Sequence, residues 1–234
     1  MKIKKLIKEE FSNFKKTEII AFTIIITIII VVSVLLKDNK IALISAVCGI
    51  TYTILAGKGR VSCYLAGITG TVCYSYLAYV NGFFGQLVLN SCYYLPMEII
   101  GIFKWSKHLK KDSREIIKTK LTNKTRAIYL ILATVITIIM TYILKITGDT
   151  KPVMDSFTTV FSVLGQLLTV KRCIEQWYVW FFVNLISLLM WIYAYINGSN
   201  CFATIIMWSV YLFLAVYFLY VWQKEISNGN ATNQ

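Results

Sequence analysis

The sequence predicts an all-α integral membrane protein with eight transmembrane helices. Three observations predict it. The 234 residues are 57% hydrophobic and 15% charged, with a mean hydropathy of +0.65, whereas a soluble domain averages about 45–50% apolar and about 25% charged. The apolar residues fall into eight runs, each near the length of about 20 residues that a helix needs to cross the hydrocarbon core. The basic residues collect in alternate breaks between those runs.

In chain order, residues 1–17 are a basic N-terminus with Lys2, Lys4, Lys5, Lys8, Lys15 and Lys16. A solvated tail accounts for it, and so does an interfacial helix laying Ile3, Leu6, Ile7, Phe11 and Phe14 on the bilayer. The run that follows is long and lacks a small-residue cleavage site, so no cleavable signal peptide is expected. Residues 18–36 form the first span. Spans at 40–56, 61–80 and 84–104 make a first three-helix unit, separated by KDNK at 37–40, GKGR at 57–60 and NG at 81–82. Residues 105–125 are a basic loop, and 126–146 is a linking span. Spans at 153–171, 177–197 and 200–222 make a second unit within 153–222, broken by KRCIEQ at 171–176 and NGSN at 197–200. Residues 223–234 are a short tail.

Eight spans put both termini on one side. That side carries twenty of the 24 basic residues, nine of them between Lys104 and Arg126; the other side has only Lys37, Lys40, Lys145 and Lys151. Positive loops resist translocation, so both termini are expected in the cytoplasm and the chain in the cytoplasmic (inner) membrane. The net charge of +13 is thereby explained by short loops, and nucleic-acid binding is excluded. The single His108 lies in the basic loop, which excludes a His-based metal site and Ser-His catalysis. The six cysteines are scattered without CxxC spacing and read as small apolar fillers. No phosphate loop or nucleophile constellation is present, so neither an enzyme nor a cofactor is expected.

An internal repeat is visible. YVNG at 79–82 returns as YING at 195–198, Tyr94 as Tyr211, Trp105 as Trp222, and Lys58 as Lys171, at offsets of 113 to 117 residues. A single linking helix between two three-helix units makes them point the same way across the membrane, an arrangement found in transporters with parallel repeats. Membrane signalling proteins carry repeats as well, so a non-transporting receptor or scaffold acting through the 104–126 loop remains open.

Polar residues inside spans face the bundle or a water-filled cavity. Those that stand out are Asn90, Tyr93, Tyr94 and Glu98 in the first unit, and Gln166, Trp177, Trp180, Asn184, Trp191, Trp208 and Tyr211 in the second. Trp177, Trp180 and Asn184 share one helical face. Indole planes with amides suit a ring, neutral or cationic, that also carries hydroxyls. Trp177 near the cytoplasmic edge also suits a membrane-interface anchor, as do Trp105 and Trp222, and Asn184 also suits an interhelical hydrogen bond. Lys58, Arg60, Lys171 and Arg172 read as topology determinants. Glu98 apart, no carboxylate sits well inside a span, which leaves uncoupled movement as the simplest mechanism.

GKGR at 57–60, Gly67, Leu89-Asn90, Tyr93, Pro96-Met97, Gly101 and Trp105, followed by Asp155, Ser162, Gln166, Lys171, Glu175 and the WxxWxxxN pattern of Trp177, Trp180 and Asn184, resemble the PnuC family of vitamin transporters. The resemblance runs from about residue 40 to 222. It implies a 3+1+3 parallel-repeat bundle like a full-length SWEET transporter, a homotrimer, and passive uptake of nicotinamide riboside trapped by a cytoplasmic nicotinamide riboside kinase. WxxWxxxN points to nicotinamide riboside over the thiamine or riboflavin of other members. The shared face and the two-unit arrangement make Trp180, Asn184, Trp177, Gln166, Asn90, Tyr94, Tyr211 and Trp208 the expected substrate-binding set. Gly165 stands where the resemblance leads one to expect alanine, a change expected to leave the site intact.

Overall fold

The computed structural model describes residues 14–35, 39–80, 84–110, 115–198, 202–228 and 231–233. Most of the basic N-terminus read above as tail or interfacial helix lies outside them, as do the NG break at 81–82 and Cys201. Among the described residues, each predicted span is helical over most of its length: α1 (Lys16–Leu35), α2 (Lys40–Gly57), α3 (Cys63–Val80), a run made of α4 (Phe84–Leu89), a π-helical turn (Asn90–Tyr94) and α5 (Leu95–Ser106), then α6 (Asn123–Ile146), α7 (Pro152–Val170), α8 (Glu175–Ile196) and α9 (Phe202–Ser227). Six of these helices are long and apolar enough to cross a membrane. The π turn interrupts the 84–106 run.

Local chemistry sets the helix starts. Asn39 caps α2 by accepting the Ile41 N–H at 2.8 Å, Thr122 caps α6 by accepting the Thr125 N–H at 3.3 Å, and Pro152 opens α7. Within the spans, Thr23, Thr27, Thr51, Thr53, Thr134 and Thr137 return their hydroxyls to the carbonyl four residues earlier, so these polar side chains are satisfied inside their own helices.

The chain divides into two compact units, one ending at Ile117 and one beginning at Lys118. In the first, α1 packs on α2, α2 on α3, and α3 on the π turn and α5. In the second, α6 packs on α7, α7 on α8, and α8 on α9. The helix read as a link between units thus belongs to the second of them.

Both units turn the same kind of corner. After α2, Lys58 closes the helix, Gly59 takes a left-handed φ of 66°, and the Arg60 N–H bonds the Leu55 carbonyl at 2.9 Å. After α7, Lys171 closes the helix, Arg172 takes φ 63°, and the Cys173 N–H bonds the Leu168 carbonyl at 3.0 Å. In each unit the corner lysine reaches back to the helix in front. The Lys58 ammonium meets Glu18 of α1 at 2.6 Å, and that of Lys171 donates to the Tyr129 hydroxyl of α6 at 2.5 Å. These lysines therefore tie helices together besides carrying positive charge.

The basic loop is more structured than its sequence predicts. Leu109 and Ile116 form an antiparallel bridge, and Arg60 bridges Glu115. Strand β1 (Lys118–Lys120) pairs in parallel with β2 (Ala231–Asn233), so the tail returns to the chain's middle. No alternation or turn signal marks a three-residue strand, so sequence periodicity misses it.

Candidate functional site

In the second unit the indole of Trp180 lies against Gly165 of α7. A Cβ placed on Gly165 would stand 2.9 Å from Cε2 and 3.1 Å from Cζ2 of that indole. The Trp180 Nε1–H donates to the Thr169 hydroxyl at 3.3 Å, and that hydroxyl in turn donates to the Gly165 carbonyl at 2.9 Å. A bare backbone and a hydroxyl one turn on thus hold the indole in one orientation. Glycine, where alanine was expected, leaves room for the ring: a methyl group there would meet it. Gln166, next in the chain, is buried at 2% exposure. Asn184, one turn beyond Trp180 on α8, is buried at 6%.

Trp177 turns elsewhere. It is 2% exposed, 5.3 Å from the Phe218 ring and 5.8 Å, edge-on, from the Trp222 ring, both on α9. The shared helical face of Trp177 and Trp180 is therefore split between two neighbours, α9 and α7. The membrane-anchor reading gives way for Trp177, Trp222 and Trp105, all of which are enclosed by protein. Trp105 pairs edge-on with Tyr64 at 5.0 Å in the first unit, as Trp222 does with Trp177 in the second. The Trp177 Nε1–H is buried with no hydrogen-bond partner among the described residues. Trp208 and Tyr211 form a pair of their own on α9, with centroids 5.9 Å apart.

In the first unit, Asn90 opens the π turn, buried, with its side-chain amide donating to the Gln86 carbonyl at 2.8 Å. Tyr93 and Tyr94 follow in the same turn, with rings 5.5 Å apart. A π turn rotates the residues after it by an added fraction of a turn and recurs at functional positions. Glu98 is buried on α5; its Oε1 accepts from the Thr71 hydroxyl at 3.0 Å, while Oε2 has no partner among the described residues.

Sequence reasoning missed Thr169 and the close seat that Gly165 gives the indole. A threonine in a greasy helix usually bonds its own backbone, as this one does, so its second role toward Trp180 leaves no mark in the pattern. It also missed the part played by Glu175. That carboxylate, buried at the start of α8, receives Arg126 at 2.6 Å and the Leu121 N–H at 3.2 Å, fastening the entry of α6 to α8.

A family described as nicotinamide mononucleotide transporter matches residues 39–224. The nicotinamide riboside transporter PnuC of Neisseria mucosa is 29% identical over 224 residues, 94% of this chain and 85% of that protein. Its counterpart in Haemophilus influenzae is 29% identical over 227 residues, covering 96% and 97%. The crystal structure of the vitamin B3 transporter PnuC superposes with a TM-score of 0.80 at 29% identity, covering 94% of this chain and 97% of that one.

Proposed function

Because the chain belongs to the nicotinamide mononucleotide transporter family, we propose that it carries nicotinamide riboside into the cell by facilitated diffusion. Its relatives are named as transporters of that compound. The observation that carries the reading is the fixed indole of Trp180, seated on Gly165 and bonded to Thr169, with Gln166 and Asn184 buried beside it on α7 and α8. Nicotinamide riboside is a cationic pyridinium joined to a ribose and bearing an amide. An indole face attracts such a ring, and amide side chains bond its carboxamide and hydroxyls.

In this proposal Trp180 stacks on the pyridinium, and Gln166, Asn184 and Asn90 bond amide or ribose groups. Trp177 offers its unpartnered indole N–H, while Tyr94, Tyr211 and Trp208 complete the aromatic lining. Both termini face the cytoplasm, a reading supported by the bias of basic residues. The two three-helix groups are parallel repeats of a SWEET-like 3+1+3 bundle, a reading supported by the matching corners at Lys58–Arg60 and Lys171–Cys173. The protein works as a homotrimer, and a cytoplasmic kinase traps the substrate by phosphorylation.

Titration of purified protein with nicotinamide riboside, thiamine and riboflavin side by side tests the substrate. Binding of nicotinamide riboside alone supports the reading; preference for thiamine sinks it. Trp180→Ala is expected to weaken nicotinamide riboside binding by about 1–3 kcal/mol, the range for stacking of a base on an aromatic side chain.

A further inference from the structure

The second unit holds a cavity of about 600 Å³ that none of the proposed substrate-binding residues lines. It lies where α6 and α8 begin and α7 and α9 end, at the ends of four helices long and apolar enough to cross a membrane. Its lining includes the charged Arg126, Glu175 and an exposed Lys120 together with the apolar Leu130, Phe161 and Val179. Such volumes hold ligands of substantial size.

Charge selects the occupant. Glu175 is already met by Arg126 at 2.6 Å and by the Leu121 N–H, so its negative charge is neutralised. Lys120 leaves the lining with an excess of one positive charge. A cationic group at the ends of membrane helices together with an apolar trough has the two-part chemistry of an anionic phospholipid, and basic pockets between membrane helices bind such head groups. We propose that this cleft binds an anionic phospholipid. Its phosphate lies against Lys120 and Arg126, and an acyl chain lies along Leu130, Phe161 and Val179. The inference rests on the proposed orientation only for the leaflet, which is the inner one.

Native mass spectrometry of the full chain tests this, with phosphatidylglycerol and phosphatidylcholine of the same acyl chains offered in equal amounts. Phosphatidylglycerol is expected to be retained in preference. Lys120→Glu is expected to lower its retention on the order of tenfold, since each basic group near anionic lipid contributes appreciably, and to leave phosphatidylcholine unchanged. Leu130→Trp, which fills the trough, is expected to reduce retention of both lipids. Equal retention of the two lipids by the unaltered protein overturns the proposal, and so does undiminished phosphatidylglycerol in either variant. A changed oligomeric state in Lys120→Glu without loss of lipid also overturns it, by assigning the cleft to a second copy of the chain. Nicotinamide riboside titration of both variants is expected to match the unaltered protein. Its failure in the unaltered chain would strike the transport reading and leave the lipid result standing.

Discussion

Trp180 and Gly165 form a unit of recognition in which the smaller residue sets the position of the larger. With no Cβ on α7, the indole settles against backbone and its N–H reaches Thr169. Gly165→Ala forces the ring to move, and crowding of this kind costs about 1–3 kcal/mol. We expect nicotinamide riboside affinity to fall within that range, read by calorimetry, with a shift in tryptophan fluorescence. The i, i+3, i+7 spacing made Trp177, Trp180 and Asn184 visible in the sequence, because helical geometry alone puts them on one face. The partner each side chain chooses was not visible. That choice depends on Gly165 in one neighbouring helix and on Phe218 and Trp222 in another, and residue spacing carries no information across helices.

At the scale of elements, the helices were legible and the corners between them were not. Long apolar runs leave the backbone no alternative to helix inside a bilayer, so α1, α2 and α6 to α9 follow directly from composition. GKGR at 57–60 and KRCIEQ at 171–176 share little beyond a lysine. Even so, their chains turn through the same hydrogen bonds, and the left-handed position is held by Gly59 in one and by Arg172 in the other. Left-handed backbone costs a residue with a Cβ roughly 1–2 kcal/mol. Gly59→Ala is therefore expected to lower stability by about that amount, measured as an earlier thermal transition, with substrate affinity per folded molecule unchanged. Burial pushes the Cys173 thiol of the second corner upward, with the nearby Glu175 adding to the shift and the Thr119 hydrogen bond opposing it. Cys173 is expected to resist maleimide at neutral pH, as intact-mass measurement checks.

For the whole molecule, α6 packs with the helices after it just as α1 packs with those after it. The lysine contacts to Glu18 and to Tyr129 add to that packing, and neither partner belongs to a recognisable motif. Facilitated movement makes a whole-molecule prediction. Proteoliposomes are expected to equilibrate labelled nicotinamide riboside without exceeding the outside concentration, and to accumulate it once a nicotinamide riboside kinase and ATP are enclosed. Accumulation without them would reveal ion coupling. Tyr52 on α2 packs at Gly67 on α3, where a Cβ would come within 2.8 Å of the ring; 113 residues on, Gly165 on α7 receives Trp180 on α8. Large-then-small has become small-then-large. Single steps between these states pass through two glycines, leaving a void that costs about 3–5 kcal/mol, or through two colliding rings. Tyr52→Gly and Gly67→Trp are expected to be less harmful together than their separate effects add up to, with a residual cost because the Glu98 carboxylate stands 2.8 Å from the same Cβ position. The two halves thus make one helix contact with the large and the small residue exchanged between neighbouring helices.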